Sequence, residues 1–275
     1  MTLERGVTMY FAMDEIGFEN AEEIKKISSE PDRWQFIYNT AAAFGFEGVH
    51  FTPSLYETLC LDLGNIPDYF QDFKLTFHLG GLHKITSKSH LDAFNRGLEA
   101  AFAIAAKHNM HDISIHPPDT YELAAHEKEI CLEFFRKALE KWLKTAIEMG
   151  ISFSLETHVS GEFFLFNGLV EYTEFVKDYP GLGILIDISH NFYDRYTEDE
   201  IIGLLDGKHV KGLHISDALQ GVDFVKGTHL AVGKGKVDFG KILNVFGKIP
   251  NLFCPLEIKA SNEDIANSLK ILRQL

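Results

Sequence analysis

The chain has 275 residues, 45% of them hydrophobic and 24% charged, with a formal net charge of −14. A chain of that size and make-up can bury a large core without disulfide staples. Its acidic balance argues against tight nucleic-acid binding, which draws much of its affinity from neutralised phosphates. Cys60, Cys131 and Cys254 are odd in number and widely spaced, as reduced thiols are, not a disulfide framework. No apolar run approaches the ~20 residues of a membrane helix. The opening "MTLERGVTMYFA" lacks the pattern of a secretion leader. A cytoplasmic location is therefore expected.

Short apolar or β-branched runs alternate with stretches of helical period. "VTMYF" (7–11) comes first, then a helical pattern over 31–46 and the second run, "GVHFT" (48–52). Residues 54–70 carry no clear pattern. "KLTFHL" (74–79) precedes a predicted helix over 89–108, with Leu91, Phe94, Leu98, Phe102 and Ala105 along one stripe. "DISIH" (112–116) precedes a helix over 127–149, and "SFSLET" (152–157) one over 169–179. "GILIDI" (183–188), a helix over 198–206, "VKGLHIS" (210–216), a helix over 239–248, "FCPLEI" (253–258) and a helix over 262–275 complete the series. Gly in "FGFEG" and "MGIS" sits where helices stop and strands begin. Eight β–α units in this length predict an α/β fold, a (β/α)8 TIM barrel, as a single domain spanning 1–275. A doubly wound open sheet is the structural alternative, but no G-x-G-x-x-G follows the first run.

Barrel active sites lie at the C-terminal strand ends. There the runs deliver His78, His116, Glu156, Asp187 with His190, His214 with Asp217, and Glu257; His229 lies in the Gly-rich stretch after the seventh. Any one of these has an ordinary structural explanation: Asp187 as a helix cap, Glu156 as an ion-pair partner. Together, six successive strand ends bring carboxylates and imidazoles to one point. Buried carboxylates in such number need a compensating cation, and the donor types suit zinc, manganese or iron. In extended chain, i and i+3 face opposite ways. The strand must therefore bend near Ile188 if both Asp187 and His190 are to face the site.

"HPP" after the fourth run, "LETH", "IDISH", "LHISD", "THLAVGKG" and "PLEI" resemble the xylose isomerase-like TIM barrel superfamily. It includes sugar isomerases and epimerases and the family-2 AP endonucleases of the endonuclease IV type. The resemblance implies a metal held by Glu156, Asp187, His214 and Glu257, with Glu156 and Glu257 doubling as catalytic acid/base groups and His190 touching substrate. In the endonuclease pattern His78 and His116 add a metal beside Glu156, and His190 and His229 help hold a third, giving one to three ions per chain. Two departures stand out. Gly227 occupies the place of that pattern's Asp, which leaves only Asp223 or Asp217 to replace it. Gln220 lies where epimerases often carry Arg.

The expected activity is that of a divalent-metal-dependent isomerase or epimerase. It moves a proton through an enediolate on a sugar or sugar phosphate. His190, His116, His229 and Lys259 are the candidate substrate contacts, whereas Lys234 and Lys236 read as solvated charge. The alternative is a zinc-dependent phosphoesterase of the endonuclease IV type. Metal count separates them. Homo-oligomer formation fits either.

Overall fold

A computed structural model describes residues 9–13, 25, 27–118, 123–161 and 164–275. Eight strands close into a parallel barrel in chain order: β1 (Tyr10–Met13), β2 (Gly48–Phe51), β3 (Lys74–Leu79), β4 (Asp112–Ile115), β5 (Ser152–Glu156), β6 (Gly183–Asp187), β7 (Val210–His214) and β8 (Phe253–Leu256). β8 pairs back onto β1, so no edge is left exposed. The expected (β/α)8 barrel is the fold, and the open-sheet alternative falls with the closure. The first strand, expected over 7–11, starts at Tyr10, and residues 7 and 8 lie outside the described residues.

Helices over Arg33–Phe44, Lys88–Lys107, Lys128–Met149, Leu169–Val176, Glu198–Leu205, Phe239–Phe246 and Asn262–Leu272 lie between or after strands, close to the expected positions. Their ends follow local chemistry. Asp32, Ser87, Thr197 and Ser261 accept a backbone N–H of the first turn. Gly45 and Gly150 close two helices at φ 77° and 67°, a conformation that a side chain disfavours. The patternless stretch 54–70 resolves into one short helix, Pro53–Thr58, and 3-10 turns at Leu63–Asn65 and Asp68–Asp72. Among the described residues no helix is long and apolar enough to cross a membrane.

Strand alternation sorts the side chains. Phe51, Phe77, Ile113, Ile115, Phe153 and Leu155 belong to the main apolar core, which helix residues such as Phe102, Phe135 and Trp142 share. The intervening His50, Thr76, His78, Ser114, Ser154 and Glu156 are buried and polar. Register sets these side by side: His50 pairs with Thr76, His78 with Ser114, and Asp187 with His214. A separate small apolar cluster of Tyr10, Leu185 and Phe253 is also buried.

Candidate metal centre

The turn after β6 answers the spacing problem in "DISH". The strand ends at Asp187 and a short helix, Ile188–Tyr193, begins at once. Asp187 Oδ1 caps it, accepting from the His190 amide at 2.6 Å and the Ser189 hydroxyl at 3.0 Å. Thr157 Oγ1 accepts from the Asp187 amide (2.9 Å) and from Asn191 Nδ2 (2.7 Å), tying the turn to β5. Asp187 is therefore a cap through one oxygen, while Oδ2 remains buried without a hydrogen bond. The bend brings His190 to the same mouth, with Nδ1 3.5 Å from that oxygen.

His214 is the hub. Its Nδ1 lies 3.0 Å from Glu156 Oε1, 2.9 Å from Glu257 Oε2 and 3.8 Å from Asp187 Oδ2. Ligands about 2.0–2.1 Å from a tetrahedral zinc stand about 3.4 Å apart, and these separations bracket that value. Glu156 turns its other oxygen the opposite way: Oε2 lies 3.3 Å from His78 Nε2 and 3.0 Å from His116 Nε2. A third group unites Asp187, His190 and His229, with 3.2 Å between the Nε2 atoms of the two imidazoles. His229 holds a left-handed backbone, φ 54°, a strain that clusters at functional sites.

Every expected ligand is thus gathered, from β3 to β8, at one end of the barrel. Glu156, Asp187 and His214 are fully buried and Glu257 nearly so. Glu156 Oε2, Asp187 Oδ2 and Glu257 Oε2 are shielded from water yet lack well-formed hydrogen bonds. They stand close to imidazole nitrogens without the alignment of a donor and acceptor. Orphaned carboxylate oxygens set among imidazoles are what a divalent ion satisfies.

Electrostatics agree. Burial raises the carboxyl of Glu156, but the imidazoles of His214, His116 and His78 outweigh it and hold it well below the ordinary range. Burial, reinforced by Asp187 and Glu156, pushes Glu257 well above that range. Burial lowers His214, yet Glu156 and Glu257 prevail and hold it well above the ordinary imidazole value. Burial pushes His78 and His158 well down, and His229 to about 3. His214 is thus held toward its charged form, and Glu257 toward its neutral one, where a divalent ion would sit. An ion held there would compete with those protons, so metal binding is expected to tighten as pH rises, by about tenfold per pH unit for each proton released. Calorimetric titration between pH 6 and 8 in buffers of different ionisation enthalpy checks both slope and proton count; a flat profile contradicts it.

The two groups that share Glu156 are not equivalent. The Gly81 amide donates to His116 Nδ1 at 3.2 Å. A neutral His116 so bonded carries its proton on Nε2, toward Glu156. An ion there requires the proton to move to Nδ1 and Gly81 to turn away. The His78–His116 group is therefore less ready to accept an ion than the one around His214.

The remaining sequence candidates also find their places. Asp217 turns away from His214 into the loop that follows it. Its carboxylate accepts the amides of Ala218, Gly233, Gly235 and Val237 at 2.8–3.0 Å and so holds the His229 loop in shape. Asp223 caps a short helical turn by accepting from the Val225 amide. Neither replaces the missing Asp at Gly227. A Cβ there would lie 2.7 Å from Val222 Cγ2 and 2.9 Å from the Leu219 carbonyl oxygen. Gly227→Asp is accordingly expected to destabilise the protein by about 1–3 kcal/mol, measured by urea unfolding, without adding a bound ion. A gained ion would contradict this. Lys259, exposed at the rim, donates its amide to the His229 carbonyl. Lys234 and Lys236 are exposed.

Two imidazoles at the site had no assigned role in the sequence. His158, two residues beyond Glu156, has its ring 4.9 Å from that of His116 and 5.2 Å from that of His190, between two of the groups. His50, on β2, stands behind His214. The signal for His158 lies in "LETH", since i and i+2 share a face of extended chain. His50 has no motif around it.

A family model described as xylose isomerase-like TIM barrel matches residues 38–275. The chain belongs to that family. It is 26% identical over 216 residues to a probable endonuclease 4 from Campylobacter concisus, covering 72% of each chain. It is 27% identical over 214 residues to an uncharacterised protein of Methanocaldococcus jannaschii, covering 74% of this chain and 79% of that one. Similar solved structures include a D-tagatose 3-epimerase-like protein (TM-score 0.69, 18% identity, 97% and 96% coverage). The IolI protein with a bound zinc atom gives a TM-score of 0.71 at 14% identity, covering 96% of each chain. A Thermus thermophilus protein soaked with zinc chloride gives 0.64 at 20% identity, covering 97% and 96%.

Proposed function

We propose that this chain is a metal-dependent phosphoesterase holding two divalent ions, with a small phosphoester such as a sugar phosphate as its substrate. The observation that carries this reading is the double engagement of Glu156: Oε1 faces His214, and Oε2 faces His78 and His116. Glu156, Asp187, His214 and Glu257 hold the stronger ion; His78, His116 and Glu156 hold the weaker. Two ions so placed supply charge for the attacking and leaving oxygens of a displacement at phosphorus. His190 and His229, whose Nε2 atoms meet beside Asp187, contact the substrate, with His158 beside them. Rim Lys259 offers a positive charge to an anionic group. The net charge of −14 disfavours a DNA duplex as substrate.

A second reading, the isomerase or epimerase, is favoured by Glu257, whose raised carboxyl suits a proton donor. In that reading Glu156 and Glu257 exchange a proton with the carbon beside a carbonyl. Both oxygens of Glu156 face imidazoles that hold the carboxyl low, which weakens it as a proton carrier. The two readings part in one experiment. Protein loaded with zinc or manganese is assayed against p-nitrophenyl phosphate, its diester, sugar phosphates and abasic DNA, and in parallel for deuterium exchange from solvent into ketoses. Hydrolysis of the small phosphoesters at two ions per chain supports the proposal. Exchange without hydrolysis, at one ion, would establish the isomerase, and cleavage of abasic DNA alone would overturn the choice of substrate.

A further inference from the structure

Behind the candidate ligands lies a hydrogen-bonded line that no family motif accounts for. His50 is fully buried, as is His214, and Thr76 is almost so. His50 Nδ1 lies 2.6 Å from Thr76 Oγ1, and its Nε2 lies 3.2 Å from His214 Nε2. The rings of His50 and His214 meet edge to face, 5.3 Å apart. The register of β2 on β3 makes His50 and Thr76 direct neighbours, so the line is built into the barrel wall.

We infer that His50 is a positioning residue that fixes the tautomer and ring orientation of His214, so that Nδ1 presents its lone pair to the ion. This rests on the metal-site reading above. Two nitrogens 3.2 Å apart can share only one proton between them. If His214 Nδ1 is a ligand, its ring proton sits on Nε2 and is donated to His50 Nε2. His50 then carries its own proton on Nδ1 and donates it to the Thr76 hydroxyl. Every step in this line is satisfied with all three groups neutral, as a buried line requires. Metal-bound imidazoles commonly donate their second N–H to such an outer partner, and loss of the partner lowers metal affinity.

The same atoms disfavour the simplest rival, in which His50, His78 and His214 themselves hold an ion. His78 Nε2 faces Glu156, and its Nδ1 lies 3.0 Å from Ser114 Oγ. His214 has spent Nδ1 on the carboxylates. An ion among the three imidazoles would sit buried with no carboxylate in its group.

The test compares wild type with His50→Leu, His50→Gln and Thr76→Val. Zinc content and affinity are read by competition with a chromogenic chelator, folding by thermal unfolding, and His214 by ¹⁵N NMR. His50→Leu should keep the wild-type number of ions and bind them about 10–100-fold more weakly. His50→Gln, whose amide oxygen can accept from His214, should recover most of the affinity, and Thr76→Val should lose less than His50→Leu. In metal-free wild type, the His214 Nε2 proton should be slow to exchange, and fast in His50→Leu. Unchanged affinity in His50→Leu would overturn the inference, as would loss of one whole ion with the rest unaffected, which would make His50 a ligand. If His50→Leu fails to fold, the other two variants carry the comparison. His50→Gln should then stay near wild type while Thr76→Val binds zinc more weakly, and the reverse order would overturn the inference. Wild type that binds no zinc would defeat the metal-site reading, and the exchange of the His214 proton would still decide whether His50 holds it.

Discussion

Replacing Glu156 with glutamine is expected to cost both ions at once. The amide keeps one oxygen but turns its other end into a donor facing either His214 or the His78–His116 pair. It also removes the charge that both groups share. Affinity at the stronger group should fall by at least about 100-fold, the upper end of what an outer-shell partner costs, and hydrolysis should fall below detection. His116→Ala is the contrasting variant. His116 belongs to the weaker group and not to the group around His214, so one ion should remain bound with near wild-type affinity. Metal analysis after gel filtration reads both outcomes. A Glu156→Gln protein that keeps one ion as tightly as wild type would show that the carboxylate serves a single group.

The second large effect is expected far from any ion. Asp217 is almost fully buried and accepts four backbone amides from two segments of the loop. Hydrogen bonds to a charged group are worth about 1.5–3 kcal/mol each, and buried donors left unpaired add their own cost. These bonds act as one unit, so their values do not sum. Asp217→Ala should therefore destabilise the fold by about 3–5 kcal/mol, read by urea unfolding. It should also loosen the backbone bridge between Asp217 and Leu230, and with it the placement of His229. A loss below about 1 kcal/mol would mean that the loop holds its shape through its glycines and the bridge alone.

Much of this was legible in the sequence because barrel geometry turns order into place. Once eight alternating runs predict eight strands, the residue at each run's end has a location, and His78, His116, Glu156, Asp187, His214 and Glu257 fall together. What could not be read was orientation. Whether Asp187 caps a helix or faces the site was open at the level of sequence, and the answer is both, one oxygen for each. Asp217 lies three residues from a histidine, as Asp187 does, yet its carboxylate turns into the loop, because Asp217 itself bridges antiparallel to Leu230 where Asp187 is followed by a helix. Residues 54–70 gave no pattern because their structure is one short helix and two 3-10 turns, too short to show a period. His50 was invisible for a different reason: its partner on β3 and its target on β7 are distant in sequence and meet only across the closed wall.

The same contrast separates the two chemistries. The group of Glu156, Asp187, His214 and Glu257 suits an isomerase and a phosphoesterase alike. The difference lies in what stands on the far side of Glu156, and there His78 and His116 form a second, weaker group. The family is established; within it, the surroundings of the second oxygen of Glu156 favour the phosphoesterase reading.

The most direct measurement is anomalous diffraction from crystals soaked in zinc. Two peaks are expected, about 3.5–4 Å apart, one ringed by Glu156, Asp187, His214 and Glu257, the other reached by His78, His116 and the second oxygen of Glu156. A single peak at the first position, with His78 and His116 still turned onto a Glu156 oxygen that meets no ion at saturating zinc, would contradict it.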